Sequence, residues 1–359
     1  MPLGPRLRRD PLRQLLGLGR AREVRGNLPR ARRRHRPRPG QSPREARVRN
    51  ARAAGVLQVL RLRRGREGRI PRRRTGLRSV AIRVRLFGRS DVGKRRSSNE
   101  DSFVLCEEEG LGVVCDGMGG HELGEVASRM AVDMLAERVA EAIPRLRSRR
   151  KLSEVRALAE ELVREWTQEA NAAIHRHGRL EAKRRGLPAK EPGARTNKSQ
   201  MGTTLALALF VSDLAVVANV GDSRVYRIRS WAIEQLTEDH TIVAEARRHA
   251  ADPRPARKRK YVTRALGTKP EVRPDVHLVH AFPGDLFVLC SDGLTDVVAD
   301  EEIVEVLRRA RGDYRKGIRS LIRLANKRGG PDNVTVVVAE VEAGDDEDDD
   351  TDELEIWQQ

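Results

Sequence analysis

The sequence has few cysteines and no long apolar stretch, and each shortage removes a class of protein. Its three cysteines, Cys106, Cys115 and Cys290, are an odd set inside or beside apolar runs. This predicts reduced, buried thiols and neither a disulfide framework nor a zinc site. No segment approaches the roughly 20 apolar residues that a membrane-spanning helix requires. The start, MPLGPRLRRD, lacks the apolar core of a signal peptide, so we expect a cytoplasmic protein.

Positive charge is confined to the beginning of the chain. Residues 1–80 contain 26 arginines, no lysine and four acids, a net charge of +22, whereas the whole 359-residue chain carries +19. The remaining 279 residues therefore carry −3, and the pI near 10.8 describes an arm, not the body. Because the like charges of this segment repel one another and it has few apolar side chains to bury, we expect residues 1–79 to be a disordered arm.

The arm allows two interpretations. A start codon assigned too far upstream would generate such a stretch, and so would a genuine basic arm. A genuine arm suggests an alternative function, a factor that binds nucleic acid or ribosomes through arginine. Residues 1–78 contain no Phe, Tyr or Trp to stack on bases, so we keep nucleic acid only as an accessory partner.

The body, in contrast, shows strands and amphipathic helices. Alternating or continuous apolar runs predict strands near residues 80–87, 102–107, 111–115, 203–211, 214–220, 223–229, 261–265, 275–281, 285–290 and 333–341. Apolar residues at helical spacing predict helices around residues 126–139, 158–174, 300–310 and 314–327. Antiparallel runs of strands with paired helices indicate an α+β fold, with two sheets packed face to face and helices outside. Nine acids in residues 345–355 predict a solvated tail, which we place at 343–359.

The chemistry is indicated by apolar strands that end in a carboxylate beside a glycine. The pattern occurs at Asp116-Gly117, Gly221-Asp222 and Asp292-Gly293, and related acids stand at Asp332 and in Asn99-Glu100-Asp101. Each piece alone is more often a turn than a ligand. Several converging carboxylates would repel one another strongly, and divalent cations resolve that repulsion. Oxygen ligands without a Cys or His cluster favour magnesium or manganese over zinc.

Eight motifs in order carry a resemblance to a family. They are SDVGKRRSSNEDSF (90–103), VVCDGMGGH (113–121), MGTTLALAL (201–209), ANVGDSRVY (218–226), LTEDHT (236–241), TRALG (263–267), LCSDGLTDVV (289–298) and GGPDNVTVVV (329–338). Together they resemble the bacterial form of the metal-dependent protein phosphatases of type 2C. The resemblance implies a catalytic domain over 80–342, folded as a four-layer αββα sandwich with two central antiparallel sheets. It also implies hydrolysis of phosphoserine and phosphothreonine in proteins, opposing protein kinases.

The resemblance also implies roles for individual residues around two manganese or magnesium ions. Asp116 looks like the acid that bridges both ions, and Gly117 would add its carbonyl to one of them. The other acids resemble further ligands: Asp292 and Asp332 for the second ion, Glu100 and Asp101 mainly through water, and Asp222 with Asp292 for a third, weaker ion. Arg96 matches the arginine that grips the substrate phosphate, and Asn333 would orient a ligand or that phosphate.

The implied mechanism needs no protein nucleophile. A hydroxide that bridges the metals attacks phosphorus while the metals and Arg96 neutralise the developing charge. Eukaryotic members have a histidine directly after Asp-Gly, where this chain has Met118, and His121 in GMGGH is not an established substitute. The general acid therefore stays open, with metal-bound water as the favoured donor.

Partners follow from the same resemblance. We expect phosphorylated proteins as substrates and a monomeric enzyme. The segment 240–262, with the cluster Arg257-Lys258-Arg259-Lys260, is the candidate for substrate specificity, favouring acidic or multiply phosphorylated partners. A phosphatase of the haloacid type would need a DxDx[TV] nucleophile motif after a strand, and the chain has none.

Overall fold

A computed structural model describes residues 82–119, 123–149, 151–186, 201–249 and 261–344. The chain divides into two units, Met1–Arg72 and Arg73–Gln359, and every described residue belongs to the second. The predictions for the arginine arm, the acidic tail, His121 and the basic cluster 257–260 fall outside the described residues.

The described residues form strands and helices that alternate along the chain. In chain order they are β1 (Ile82–Asp91), β2 (Asp101–Cys106), β3 (Leu111–Met118), α1 (Leu123–Arg147), α2 (Leu152–Arg184), β4 (Gly202–Thr203), β5 (Leu205–Val211), β6 (Leu214–Val220), β7 (Arg224–Arg229), β8 (Ala232–Gln235), α3 (Ile242–His249), β9 (Asp275–His280), β10 (Leu286–Cys290), α4 (Asp292–Thr295), α5 (Asp300–Ala310), α6 (Tyr314–Lys327) and β11 (Val334–Ala343).

The strands form two sheets. The first sheet has the order β1-β11-β10-β7-β8, and the second has the order β2-β3-β5-β6-β9, with the short β4 pairing β3. Every pairing in both sheets is antiparallel. Two antiparallel sheets with flanking helices confirm the predicted α+β class.

Three apolar layers hold the sheets and helices together. Strand β5 shows why: Leu205, Leu207 and Leu209 pack in the cluster with α1 and α2. The alternate residues Ala206 and Ala208 pack between the two sheets, against residues of β10 and β11. A third cluster joins the first sheet to α5 and α6. Since side chains alternate across a strand, continuous apolar runs are required wherever both faces are covered. The result is the four-layer αββα arrangement.

The sequence predictions hold best where a residue pattern is strong. Helices α5 and α6 begin and end where predicted, because each has a clear apolar stripe. The prediction of a strand at 261–265 is wrong, since Val262 forms only an isolated bridge with Thr241. Strand β8 was not predicted because it lies at the sheet edge and most of it is exposed. Among the described residues, no helix combines the length and apolarity needed to cross a bilayer.

Candidate active site

Acidic side chains from both sheets meet at one edge of the sandwich. In the second sheet, Asp116 near the end of β3 pairs directly with Asp101 at the start of β2. Asp222 follows β6, and its neighbour Gly221 has a φ of +106°, which favours glycine at this turn. In the first sheet, Asp292 follows β10 and Asp332 precedes β11, and these two strands are paired neighbours. The strand ends therefore bring together acids that are far apart in the sequence.

The electrostatics of Asp116 show this convergence. Its pKa is raised well above the ordinary value, first by desolvation and then by the negative charges of the other four aspartates, Asp101, Asp292, Asp222 and Asp332. Asp116 keeps part of its surface open to solvent. A carboxylate surrounded by like charges favours its protonated form unless a cation is supplied. The site is thus built around Asp116.

Asp101 is a buried acid whose two carboxylate oxygens have different surroundings. Its Oδ2 accepts hydrogen bonds from the hydroxyls of Ser291, at 2.8 Å, and Thr335, at 2.7 Å. Its Oδ1 is buried and has no hydrogen-bond partner among the described residues. Desolvation raises the pKa of Asp101 to about 6, although the two hydroxyls act in the opposite direction. Such an oxygen is suited to face a bound ion or water.

A loop between β1 and β2 carries Arg96 and Glu100 to the same edge. Nη2 of Arg96 donates to Oδ2 of Asp332 at 2.7 Å, and this bond raises the pKa of Arg96. Half of the Arg96 side chain is exposed, so it can reach an incoming anion. Desolvation raises the pKa of Glu100, and the nearby Arg96 opposes that effect. The loop therefore places the guanidinium of Arg96 and the carboxylate of Glu100 beside the aspartates.

Asn333 fixes this loop through its side chain. Its Oδ1 accepts from the amide N–H of Glu100 at 2.9 Å, and its Nδ2 donates to the carbonyls of Val92 and Ser98, each at 2.9 Å. These bonds join the start of β11 to the loop that carries Arg96. The sequence indicated a ligand-orienting role for Asn333; the structure adds a positioning role that only contacts could reveal.

Close backbone contacts explain the glycine that follows Asp116. The amide N–H of Gly117 donates to the carbonyl of Glu100 at 3.0 Å. A Cβ at Gly117 would collide with the backbones of Gly124 and Glu100. Glycine therefore lets the end of β3, the start of α1 and the loop before β2 approach closely.

Hydroxyl groups support Asp116 from the neighbouring strands. Oγ1 of Thr203 donates to the carbonyl of Asp116, and Oγ1 of Thr204 accepts from its amide N–H, both at 2.9 Å. Oγ1 of Thr204 also bonds Oγ of Ser223 at 2.7 Å, next to Asp222. Sequence reasoning did not find the roles of Ser291 and Thr335. Their signal in the sequence is weak: Ser291 directly precedes Asp292, and Thr335 stands three residues after Asp332.

The donor set fits a hard divalent cation. It consists of carboxylate oxygens, and the buried Oδ1 of Asp101 has no hydrogen-bond partner in the described part of the chain. Desolvation and the charges of the other acids raise the pKa of Asp116. Within the described part of the chain, no three His, Cys, Asp or Glu side chains already have the arrangement of a closed metal site. Carboxylates that repel one another draw together only around a cation. The side chains fit such an ion, and their final geometry depends on it.

Comparison with known proteins identifies the family. The family model described as protein phosphatase 2C matches residues 91–333, which include Arg96, Asn333 and every acid described above. The chain belongs to the protein phosphatase 2C family. This membership agrees with the motifs, the antiparallel αββα sandwich and the acidic edge.

Several protein phosphatase 2C relatives are similar over most of their length. The serine/threonine phosphatase stp of Listeria monocytogenes is 35% identical over 262 residues, covering 70% of this chain and 94% of that protein. A solved catalytic domain of the serine/threonine protein phosphatase PstP, in complex with two manganese ions, is 34% identical, with a TM-score of 0.59, covering 73% of this chain and 99% of that one. Stp1 from Staphylococcus aureus is 30% identical, with a TM-score of 0.60, covering 74% and 97%.

Proposed function

We propose that this chain is a metal-dependent protein serine/threonine phosphatase that acts on phosphoserine and phosphothreonine in proteins. The observation that carries the proposal is the convergence of four aspartates on Asp116 at one sandwich edge. Family membership and relatives named serine/threonine phosphatases support the same activity. They give no support to the alternative, a nucleic-acid or ribosome-associated factor.

The proposed ligands of two manganese or magnesium ions are the residues that sequence indicated. Asp116 would be a ligand of both ions, and the carbonyl of Gly117 would bind one of them. Asp292 and Asp332 would bind the second ion. Glu100 and Asp101 would act mainly through metal-bound water. Asp222 would contribute to a third, weaker site. When bound, such ions supply an activated water and offset the negative charge of the phosphate. The complex of PstP with two manganese ions supports this number for a relative.

Arg96 is the proposed phosphate-binding group. Its guanidinium now bonds Asp332 while half of the side chain remains exposed. Once a cation neutralises Asp332, the same guanidinium can turn its donors to phosphate oxygens, whose geometry suits a fork of N–H groups. Asn333 would keep the Arg96 loop in position through its bonds to Val92, Ser98 and Glu100. The general acid stays open.

The remaining parts of the proposal concern the chain as a whole. Residues 80–342 would form the catalytic domain, preceded by the arm and followed by the acidic tail. The enzyme would be a cytoplasmic monomer that opposes protein kinases. The free thiols of Cys106, Cys115 and Cys290 support a reducing compartment.

A phosphatase assay tests the function. The purified full chain should release phosphate from a phosphothreonine peptide when manganese is present and stop when a chelator is added. Asp292→Asn should lower kcat/KM by about a thousandfold or more without loss of folded structure, since it removes a proposed ligand. Asp213→Asn is the control, because Asp213 bonds His280 away from the acidic edge and should keep activity. A folded, manganese-loaded chain that releases no phosphate from any such substrate contradicts the proposal.

A further inference from the structure

The outer face of α6 carries an excess of positive charge. The helix contains no acidic residue, and its exposed basic residues are Arg315, Lys316, Arg319, Arg323 and Lys327. Four of them recur at every fourth position, which places them in one row along the helix. No ion pair joins any of the five to a carboxylate of the described residues, whereas the neighbouring Arg308 and Arg328 pair with Glu305 and Glu302. The row on α6 is therefore open to an acidic partner.

A groove beside this row offers an apolar floor. It lies between α5 and α6 and has a volume of about 550 Å³. Val306 and Leu324 provide apolar surface, and Arg323 and Lys327 lie on the α6 side. On the α5 side lie Glu302, Glu305 and Arg309, and Arg309 is paired with Glu305. A groove with apolar surface and a row of cations along its α6 side fits a segment that places large apolar side chains in the groove and acids along α6.

The C-terminal segment of this chain has that composition. Residues 345–359, DDEDDDTDELEIWQQ, contain nine acids and no basic residue, and Leu354, Ile356 and Trp357 stand near the end. This is the opposite charge to the row on α6.

The segment also begins in a suitable place. Strand β11 ends at Ala343. Desolvation raises the pKa of Tyr314, the first residue of α6, and the charge of Glu340, near the end of β11, adds to that effect, so the two residues lie close together. Helix α6 then runs for about 21 Å at 1.5 Å per residue. The thirteen Cα-to-Cα steps from Gly344 to Trp357 can span up to about 43 Å when extended. Trp357 can therefore reach the groove.

We propose that residues 345–359 bind along α6 of the same chain, with the acidic run against the basic row and Ile356 and Trp357 in the groove between α5 and α6. Each exposed ion pair is weak, but several act together in one chain, and the covalent link supplies a high effective concentration. The contact weakens as salt screens the charges. It involves none of the proposed metal ligands, so it does not depend on the phosphatase proposal.

Fluorine NMR of the full chain labelled with fluorotryptophan tests the contact. The Trp357 resonance is assigned by its loss in Trp357→Phe, which separates it from the signals of Trp166 and Trp231. At about 0.01 M salt we expect it displaced from its position in a peptide of residues 345–359, and at about 1 M salt we expect it to move towards that position. Arg319→Glu with Arg323→Glu should return it to the peptide position.

A matched variant controls for added negative charge. Arg176→Glu with Arg179→Glu changes two exposed arginines on α2, which packs on the other sheet, and should leave the Trp357 signal displaced. A wild-type signal at the peptide position overturns the proposal. So does a displacement that survives the α6 variant but disappears on deletion of residues 1–78, since the tail would then bind the arginine arm. A displacement that grows with protein concentration also overturns it, because the tail of a second copy would be the occupant.

Discussion

Strand β10 has a carboxylate at each end, the buried Asp285 and the half-buried Asp292, and negative charge is stabilised differently at the two ends. Asp285, just before β10, is 1% exposed. Its carboxylate accepts bonds from Nε and Nη2 of Arg229 at 2.7 and 2.6 Å and from the amide N–H of Phe282 at 2.9 Å. Asp292, just after β10, belongs instead to the group of acids around Asp116. One end is thus neutralised by a guanidinium of the chain itself, and the other collects acids.

The difference shows which buried charges are structural. A buried carboxylate is tolerated when it is paired and fully hydrogen-bonded. The Asp285 end meets that condition with a two-pronged pair, so it needs no other ion. At the other end, desolvation and like charges raise the pKa values of Asp116 and Asp101, and Arg96 offers a single half-exposed guanidinium. This end is suited to receive its missing positive charge from solution.

The largest expected effect is on activity, through Asp116→Asn. This change should lower kcat/KM by about a thousandfold or more, because the central acid no longer holds cations. In the presence of a chelator the same variant should be about 1–2 kcal/mol more stable than the wild type, since it removes like-charge repulsion. Phosphate release and thermal unfolding with and without manganese measure both quantities. If the metal-free Asp116→Asn variant is less stable than the metal-free wild type, repulsion between the acids does not dominate the energetics of this edge.

The next effect is on stability, at the other end of β10. Asp285→Asn should destabilise the protein by about 2–4 kcal/mol, because the guanidinium of Arg229 loses its buried partner. Denaturant unfolding measures this loss. The remaining folded protein should keep kcat/KM within a few-fold of the wild type. If stability is unchanged, the ion pair of Arg229 with Asp285 does not stabilise the fold, and the contrast between the two ends of β10 fails.

The pH dependence of the chelated protein sharpens the contrast. The pKa of Asp101 rises from 3.8 to about 6 on folding, so the folded state holds that proton more tightly than the unfolded chain. Its contribution to stability is fully present below about pH 4 and is lost as the pH rises through about 6, a change of about 3 kcal/mol. We expect unfolding in chelator to show decreasing stability across this window. Asp101→Asn should remove much of this dependence of stability on pH. If the dependence is unchanged in the variant, groups other than Asp101 cause it.

The smallest expected effect concerns a single hydroxyl. Thr335→Val keeps the side-chain shape but removes a donor to Oδ2 of Asp101, so the pKa of Asp101 should rise further. The decline of stability in chelator should therefore extend to higher pH than in the wild type, with a loss of about 1 kcal/mol near neutral pH. Thr237→Val, which removes a buried hydroxyl bonded to the amide of Val225, is a control that should not move the pH window.

The fold was predictable where residue periodicity is strong. The apolar stripes of α5 and α6 set their bounds, and the alternation in β5 determines that both its faces are covered. Strand β8 and helix α3 were not predicted, because neither carries a long apolar pattern. The candidate site was predictable as a set of acids, since each lies near the end of an apolar strand and three of them, Asp116, Asp222 and Asp292, stand beside a glycine. The residues that form hydrogen bonds with these acids could not be predicted from the sequence.

The sequence by itself determined which acids lie at the ends of strands, because strand patterns and Asp-Gly turns are local features. Only the tertiary structure decided that Asp285 is neutralised by Arg229, while Asp101 has two hydroxyls and one oxygen without a partner among the described residues. It likewise decided that Asn333 holds the Arg96 loop. The physical reason is that the energy of a buried charge depends on neighbours brought close by folding, often from distant parts of the chain.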